Sequence, residues 1–317
     1  MRLAFVLVGV GCSLIACHKP AATGGDDDDT MIDGSTSGGS DSGIPADFTM
    51  LIQRSWTVVS DDEAYKCVVA QVPNDMWISA FRSLAPTGTH HTVLTILPGA
   101  QQPREYDCSV SAGTFGSGGP TQMLYAAGIN TDDNALPDGV AIHIPAGAYI
   151  HLNLHLYNTT DGDLTQTSGI YVKTIAAADV VNEADMMFAG TMNINIPNNG
   201  QDTVATGGCA ATTEYHMFTM WPHMHQYANH QKLELTRSGT STAIPLLDVD
   251  YDFNEQKNYP MADTTIHVGD RLKTTCTYMN PVSTGHAITW GDSSDAEMCF
   301  TGIYRYPAAH NLFGCES

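Results

Sequence analysis

The sequence predicts an all-β protein made of two tandem antiparallel β-sandwich domains, jelly-roll-like in their short strands. Short segments alternate apolar and polar residues, and Gly, Pro, Asn and Asp separate them. No long amphipathic helical pattern is present in the sequence. From Phe48 onward about 270 residues remain, a length that suits two domains of ordinary size. We therefore predict one sandwich over residues 48–180 and a second over residues 181–317.

The individual segments support this prediction. "YIHLNLHLYN" (residues 149–158) sends three leucines to one face and His, Asn and Tyr to the other, as a strand does. Three more segments are also typical of strands and turns: "HQKLELTR" (230–237), "TTIHVGDRLKTTCTYMN" (264–280) and "MCFTGIYRYP" (298–307). The segment "AAADVVNEADMMF" (176–188) is the best helix-like candidate, and it falls where a connection between the two sandwiches is expected.

The first seventeen residues, "MRLAFVLVGVGCSLIAC", predict an export signal rather than part of the fold. Arg2 precedes an apolar run that is too short to span a bilayer permanently. The ending "LIAC" resembles the lipobox of bacterial lipoproteins, in which Cys17 carries lipid and becomes the first mature residue. An ordinary secretory signal is the alternative. His18 occupies the position where Asp would favour inner-membrane retention, so we expect an anchor in the outer membrane of a Gram-negative cell envelope.

Residues 18–47 have almost no large apolar side chains, so we expect a flexible acidic tether rich in Gly and Ser. Its "DDDD" run, Asp26 to Asp29, is interpreted as solvated charge rather than as a calcium site. The formal net charge of −21 argues against nucleic acid as a partner. We expect a monomer with a small-molecule or peptide substrate.

The chain has 8 Cys, of which Cys12 lies in the export signal and Cys17 would carry lipid. Six remain, an even number in an exported chain, which predicts three disulfides. A thiolate metal site is the weaker alternative, because none of the six shows C-x-x-C spacing. The six are Cys67, Cys108, Cys209, Cys276, Cys299 and Cys315.

Histidines cluster at three places among the 13 in the chain. "PHMH" places His223 and His225 two residues apart, on one face if the segment is a strand. "GTHH" places His90 and His91 side by side, so both can reach one ion only if the strand ends or bulges there, or if the rings bind through different nitrogens. In "YIHLNLHLYN", His151 and His155 share a face, and spacing alone does not choose between them.

These histidine-rich places predict copper rather than zinc. Imidazole suits both metals, whereas a thioether suits Cu(I) and is a poor zinc ligand. Among the 14 Met, Met298 is the best ligand candidate because it adjoins Cys299, which we expect to be cross-linked. Met186 and Met187 are interpreted as core packing.

The ordered motifs "THHTVL", "LNLHLYN", "PHMH", "GDRLKTTCTYMN" and "DAEMC" resemble the copper type II, ascorbate-dependent monooxygenases, which include the peptidylglycine α-hydroxylating and dopamine β-monooxygenases. The resemblance extends from about residue 65 to residue 315. It implies two sandwiches that each hold one copper at a solvent-filled cleft. It assigns the first copper to His90, His91 and His155, and the second to His223, His225 and Met298.

The resemblance also implies three disulfides, Cys67–Cys108, Cys209–Cys315 and Cys276–Cys299, and it places Tyr65 near the first copper. Asn153 stands where the family has Gln two residues before the third His. Trp221 and Gly302 stand where the peptide hydroxylases have Arg and Tyr. We therefore do not expect this chain to bind a peptide carboxylate or to take part in peptide amidation.

The resemblance implies hydroxylation of a C–H bond with O2, with ascorbate or a similar small reductant supplying electrons to the histidine-only copper. Apart from the metal ligands, no side chain is expected to act as a catalytic acid or base. The alternative function is a non-catalytic lipoprotein that buffers or delivers copper at the cell envelope, because the same ligands would serve it. A binding module with decayed metal sites is a third hypothesis, and the presence of all six ligand residues argues against it.

Overall fold

The structure, a computed structural model, describes residues 44–109, 122–128, 131, 133–253, 255–291, 293 and 295–316. The predicted export signal, the lipidation site at Cys17 and the acidic run lie outside the described residues, as does the tether up to residue 43. The described residues belong to one structural unit of the chain. Within them, no helix has the length and apolar character that a membrane span requires.

The described residues fold almost entirely into β-strands, which confirms the predicted all-β class. Two short 3-10 helices, Ala177–Asp179 and Val282–Thr284, are the helical elements in the described ranges. The strands are β1 Thr49–Val58, β2 Glu63–Gln71, β3 Met76–Leu84, β4 Thr89–Leu97, β5 Arg104–Asp107, β6 Gln122–Gly128, β7 Asn134–Ala135, β8 Val140–Ile144, β9 Tyr149–Tyr157, β10 Leu164–Thr174, β11 Asn182–Glu183, β12 Asp185–Thr191, β13 Asn195–Ile196, β14 Asp202–Ala210, β15 Tyr215–His223, β16 Ala228–Thr236, β17 Ala243–Asp250, β18 Tyr259–Ile266, β19 Arg271–Met279, β20 Ile288–Thr289, β21 Cys299–Tyr306 and β22 Cys315–Glu316.

The N-terminal half contains two sheets whose apolar faces meet. One sheet has the order β1-β10-β3-β8-β11, with β7 paired to β3, and the other has the order β5-β2-β9-β4-β6. Phe81 on β3 stacks on Tyr125 on β6 with ring centroids 5.1 Å apart, so the two sheets touch through aromatic rings. The predicted strand over residues 149–158 is β9, and its leucines are fully buried in this core.

The C-terminal half contains a five-stranded sheet, β18-β15-β21-β12-β22, a four-stranded sheet, β14-β19-β16-β17, and the pair β13-β20. The two larger sheets approach closely at glycines. A Cβ on Gly207 of β14 would lie 2.1 Å from the carbonyl oxygen of Gly190 on β12, so a side chain at Gly207 would force the strands apart. Thr274 on β19 donates to the carbonyl of Ala189 on β12 at 2.8 Å across the same contact.

One hydrophobic core contains residues from both halves. Phe188, Phe300 and Tyr304 from the C-terminal half pack in the cluster that contains the N-terminal leucines. The Tyr304 hydroxyl donates to the Leu124 carbonyl at 3.2 Å. Strand β11, which follows residue 180, pairs in parallel with β8, which precedes it. The boundary between residues 180 and 181 therefore stays a prediction, because side chains from both sides of it share this core.

The helix-like interpretation of residues 176–188 is wrong. Only Ala177–Asp179 forms a 3-10 turn, and the chain then continues as β11 and β12. The reason is tertiary: every residue of β12 is buried, and its Asp185 forms an ion pair with Arg305 of β21 at 2.9 Å. A helix over these residues would expose part of this apolar run and separate the buried charges.

Three disulfides join strands in both halves. Cys67 of β2 bonds to Cys108 just after β5, Cys209 of β14 bonds to Cys315 of β22, and Cys276 of β19 bonds to Cys299 of β21. These are the three pairs that the resemblance implies. The last bond fixes the start of β21, which directly follows Met298.

Candidate metal centre

The adjacent histidines His90 and His91 lie at a β-bulge near the start of β4. Opposite β9, the register pairs Thr89 with Leu156 and His91 with His155, so His90 is the extra residue. A bulge turns two neighbouring side chains towards the same side of the sheet, which a regular strand cannot do. This local irregularity brings both imidazoles to His155.

The three histidines converge through their Nδ1 atoms. The Nδ1 atom of His91 lies 3.2 Å from that of His90 and 3.3 Å from that of His155. One nitrogen from each ring falls within 4.8 Å of the others, which is the spacing of donors around a single ion. His90 and His155 are buried, and His91 is partly buried.

Burial keeps these imidazoles neutral, which is the form that binds a metal. Burial and the neighbouring His155 and His90 hold the pKa of His91 well below its usual range. Burial, together with His90, lowers the pKa of His155 to about 4, although the nearby Glu63 carboxylate acts in the opposite direction. A proton on one ring would repel a proton on either of the others, so the three rings stay neutral and keep lone pairs that can bind a metal ion.

Glu63 and Tyr65 contact His155 on the side away from the other two histidines. The Glu63 carboxylate lies 2.5 Å from Nε2 of His155 and accepts a hydrogen bond from the Tyr65 hydroxyl at 3.1 Å. The Tyr65 ring stacks on His155 with centroids 4.5 Å apart and planes 5° from parallel. A proton on Nε2 donated to Glu63 leaves the Nδ1 lone pair directed at the other two rings. Tyr65 was predicted near this site, whereas Glu63 was not. Glu63 lies two residues before Tyr65 on β2, so the two side chains share a strand face. That spacing was the signal from which its position near the site could have been predicted.

His151 and Asn153 lie on the same face of β9 as His155, and all three side chains are buried. His151 is not part of the group, because its Nε2 lies 3.1 Å from the Tyr106 hydroxyl. Asn153 lies beside Cys67 on β2 and Val93 on β4. The structure therefore groups His155, rather than His151, with the adjacent pair.

The second pair, His223 and His225, is held by hydrogen bonds at Nδ1. Strand β15 ends at His223, so His225 lies just past the strand, and the expectation of one continuous strand face was wrong here. Nδ1 of His223 lies 3.0 Å from the Gln256 side-chain oxygen, and Nδ1 of His225 lies 3.0 Å from the Ala296 carbonyl. Both partners are acceptors, so each Nδ1 carries the proton and each Nε2 keeps its lone pair for a ligand. Burial lowers the pKa of His223 to about 3 and that of His225 to about 4.

Met298 is buried directly before β21, and its backbone is fixed on both sides. Its carbonyl accepts a hydrogen bond from Tyr278 at 2.7 Å, and its N–H donates to the Glu297 carboxylate at 3.2 Å. The same carboxylate oxygen accepts the His225 N–H at 2.8 Å. Burial raises the pKa of Glu297 to about 8. The structure thus brings the backbones of Met298 and His225 onto one oxygen atom, a contact that the sequence did not reveal.

The two histidine groups adjoin one another across Phe253. Its ring centroid lies 4.7 Å from that of His90 and 6.2 Å from that of His225. A cavity of about 580 Å³ opens beside them, and Glu63, His155 and Asp295 also line it. The resemblance implied a solvent-filled cleft between the sites, and this structure places one aromatic side chain between them.

Trp221 and Gly302, the two departures from the peptide hydroxylases, are neighbours in the structure. They are register partners on β15 and β21. The Trp221 ring stacks on His223 with centroids 4.7 Å apart, and a Cβ on Gly302 would lie 3.2 Å from that ring. Gly302 therefore makes room for the indole, so the two changes depend on each other.

Residues 182–317 match the family "Copper type II ascorbate-dependent monooxygenase, C-terminal domain". This span contains His223, His225 and Met298. No curated protein matches the chain significantly. Solved structures with some likeness include infectious bursal disease virus Gx strain (10% identity, 84% of this chain and 75% of that chain covered, TM-score 0.19) and the VP2 subviral particle of infectious bursal disease virus (10% identity, 82% and 72% covered, TM-score 0.17). Scores this low support no inference about this chain.

Proposed function

We propose that this chain is a two-copper monooxygenase, because residues 182–317 match the C-terminal domain family of the copper type II ascorbate-dependent monooxygenases. It would hydroxylate a C–H bond of a small-molecule or peptide substrate, using O2 and ascorbate or a similar reductant. His90, His91 and His155 would hold one copper, and His223, His225 and Met298 the other. The observation that carries the proposal is the convergence of the three histidine Nδ1 atoms, in a chain whose residues 182–317 match this family.

The chemistry of the donors suits copper at both proposed sites. The first group offers three neutral imidazoles, and its nearest carboxylate, Glu63, contacts the far nitrogen of His155 instead of the shared centre. The second pair offers two Nε2 atoms, and the thioether of Met298 would favour Cu(I) over zinc. Copper at these positions would supply one-electron redox chemistry and the reaction with O2.

The chain's own residues orient ligands and limit the access of water. Gln256 and the Ala296 carbonyl hold the two rings of the second pair, and Trp221 covers one face of His223. Glu63 and Tyr65 hold His155. The cavity beside His90 provides room for a substrate. Trp221 at the position of the family's Arg removes a cationic group that would bind a peptide carboxylate, so we propose a substrate without that requirement.

We propose that the mature protein is anchored to the outer membrane of a Gram-negative cell envelope by lipid on Cys17. The "LIAC" ending supports this, and the three disulfides fit an oxidising compartment. Radiolabelled palmitate should be incorporated into the wild-type chain in cells. The Cys17→Ser variant should incorporate none and should leave the membrane fraction, and labelling of that variant would contradict the proposal.

Copper stoichiometry tests the two-site proposal. The loaded and desalted full chain should contain two coppers. The double variant His223→Ala/His225→Ala should contain one, and so should His90→Ala/His91→Ala. His216→Ala/His267→Ala, which removes two histidines paired with surface carboxylates, is the matched control and should keep two. Two coppers in either of the first double variants would contradict the assignment. Copper-buffering without catalysis is the alternative function, and oxygen consumption separates it from the enzyme.

A further inference from the structure

Glu297 is a buried carboxylate whose described hydrogen-bond partners are backbone N–H groups. Its side chain is fully shielded from solvent. One carboxylate oxygen accepts the N–H groups of His225 at 2.8 Å and of Met298 at 3.2 Å, and the other accepts the N–H of Tyr227 at 2.8 Å. Burying an ionisable side chain costs free energy unless its oxygens accept hydrogen bonds. An apolar residue at this position would leave the three backbone N–H groups without an acceptor, and the carboxylate supplies one.

The donors come from two distant parts of the chain. His225 and Tyr227 lie in the turn between β15 and β16, whereas Met298 precedes β21, and 72 residues separate His225 from Glu297. The backbone of Glu297 is itself fixed: its N–H donates to the Thr289 carbonyl at 3.0 Å, and its carbonyl accepts the Gly291 N–H at 3.2 Å. The carboxylate therefore joins the segment that carries the histidine pair to the segment that carries the thioether.

We infer that Glu297 is a positioning residue of the second copper site. It holds the His225 and Met298 backbones against one oxygen atom, so that an imidazole and a thioether from separate segments reach the same ion. The inference rests on the proposed function for the identity of the ion. It goes beyond that function, because it assigns to Glu297 the relative placement of two ligands.

Only a carboxylate satisfies this set of donors. Three N–H groups need two acceptor oxygens, and in the structure each oxygen of the Glu297 side chain accepts at least one of them. Glutamine at this position keeps the shape but supplies one oxygen, and its NH2 group would face a backbone N–H without an acceptor. Aspartate keeps both oxygens, but its side chain is one methylene shorter. It can therefore accept the N–H groups of one segment but does not reach those of both segments equally well.

The experiment compares Glu297→Gln with Glu297→Asp in the full chain, and with Asp270→Asn as the matched control. Asp270 is another buried carboxylate of the same half, and it accepts the N–H groups of Ser238 at 2.8 Å and His267 at 3.0 Å. Backbone amide resonances are recorded for the metal-free proteins. Cu(I) affinity is then measured by competition with bathocuproine disulfonate, and X-ray absorption on the reduced copper proteins reports copper–sulfur scattering.

In Glu297→Gln we expect the amide resonances of His225, Tyr227 and Met298 to move together. We also expect the copper–sulfur scatterer to disappear and Cu(I) affinity at the second site to fall about 10- to 100-fold, the range for lost outer-shell support. Glu297→Asp should recover part of the affinity. Asp270→Asn should lower stability yet keep wild-type scattering and affinity.

Wild-type copper–sulfur scattering in Glu297→Gln would overturn the inference, and so would an equal loss of scattering in Asp270→Asn. A wild type without copper–sulfur scattering would instead contradict the Met298 assignment in the proposed function. In that case the amide resonances of the metal-free proteins decide the inference: joint movement of His225 and Met298 supports it, and independent behaviour overturns it. If Glu297→Gln does not fold, the same measurements on Glu297→Asp decide in the same way.

Discussion

Replacing both Cys276 and Cys299 with Ala removes the disulfide beside Met298. Compared with loss of the Cys209–Cys315 bond, this change should lower the free energy of unfolding less and the affinity for Cu(I) more. The bond closes a loop of 23 residues, for which the chain-entropy relation gives a loss of about 3.4 kcal/mol in the free energy of unfolding. The Cys209–Cys315 bond closes 106 residues, and the same relation gives about 4.8 kcal/mol. The double variant Cys209→Ala/Cys315→Ala should therefore be the less stable of the two.

Copper affinity should follow the opposite order. Loss of the Cys276–Cys299 bond frees the start of β21 and so loosens Met298, whereas Cys209–Cys315 joins β14 and β22. Urea unfolding of the metal-free proteins gives the stabilities, and chelator competition gives the Cu(I) affinities. Equal Cu(I) affinities in the two double variants would refute the reasoning, because the effect would then be general destabilisation.

Three further predictions concern single groups. Met298→Ile keeps approximate volume and polarity but deletes the sulfur, so it should bind Cu(II) near the wild-type level while losing Cu(I) affinity and copper–sulfur scattering; unchanged scattering would exclude Met298 as a ligand. Glu63→Gln removes the carboxylate behind His155 and should weaken the first copper about 10- to 100-fold, while electron paramagnetic resonance shows the second copper unchanged. The metal-free protein should lose stability as the pH falls from 6.5 towards 4. Its buried His155 and His225 have native pKa values of about 4, so the unfolded chain takes up their protons first. The slope of unfolding free energy against pH approaches about 1.4 kcal/mol per pH unit for each histidine, and urea titrations without such a slope would contradict the burial of these rings.

The all-β class and several strands could be predicted because their signals are local. Alternation in residues 149–158 fixes which side chains of β9 share a face, and it predicts that His151 and His155 are equivalent. What separates them is not local. The choice depends on the bulge at His90 and on the register of β4 against β9, which pair residues 64 positions apart. No periodicity within one strand encodes that register.

The supporting groups of the site were harder to predict for the same reason. Gln256 lies 33 residues from His223 in a segment between strands, and nothing in its neighbourhood suggests contact with an imidazole. Glu297 is adjacent to Met298, yet its role depends on the turn after β15. The helix-like interpretation of residues 176–188 failed where local pattern and tertiary packing disagree. Asp185 is compatible with a buried strand because Arg305 and the backbone N–H groups of Ala309 and His310 reach its carboxylate.

Oxygen incorporation tests the proposed activity most directly. The copper-loaded full chain is supplied with ascorbate, ¹⁸O2 and a library of small molecules and peptides, and products are analysed by mass spectrometry. A two-copper monooxygenase should produce a hydroxylated compound that carries one ¹⁸O atom, in the wild type and not in Met298→Ile. A wild type that holds two coppers and is reduced by ascorbate, yet transfers ¹⁸O to no compound in the library, would contradict the proposed enzyme and favour a copper-binding lipoprotein.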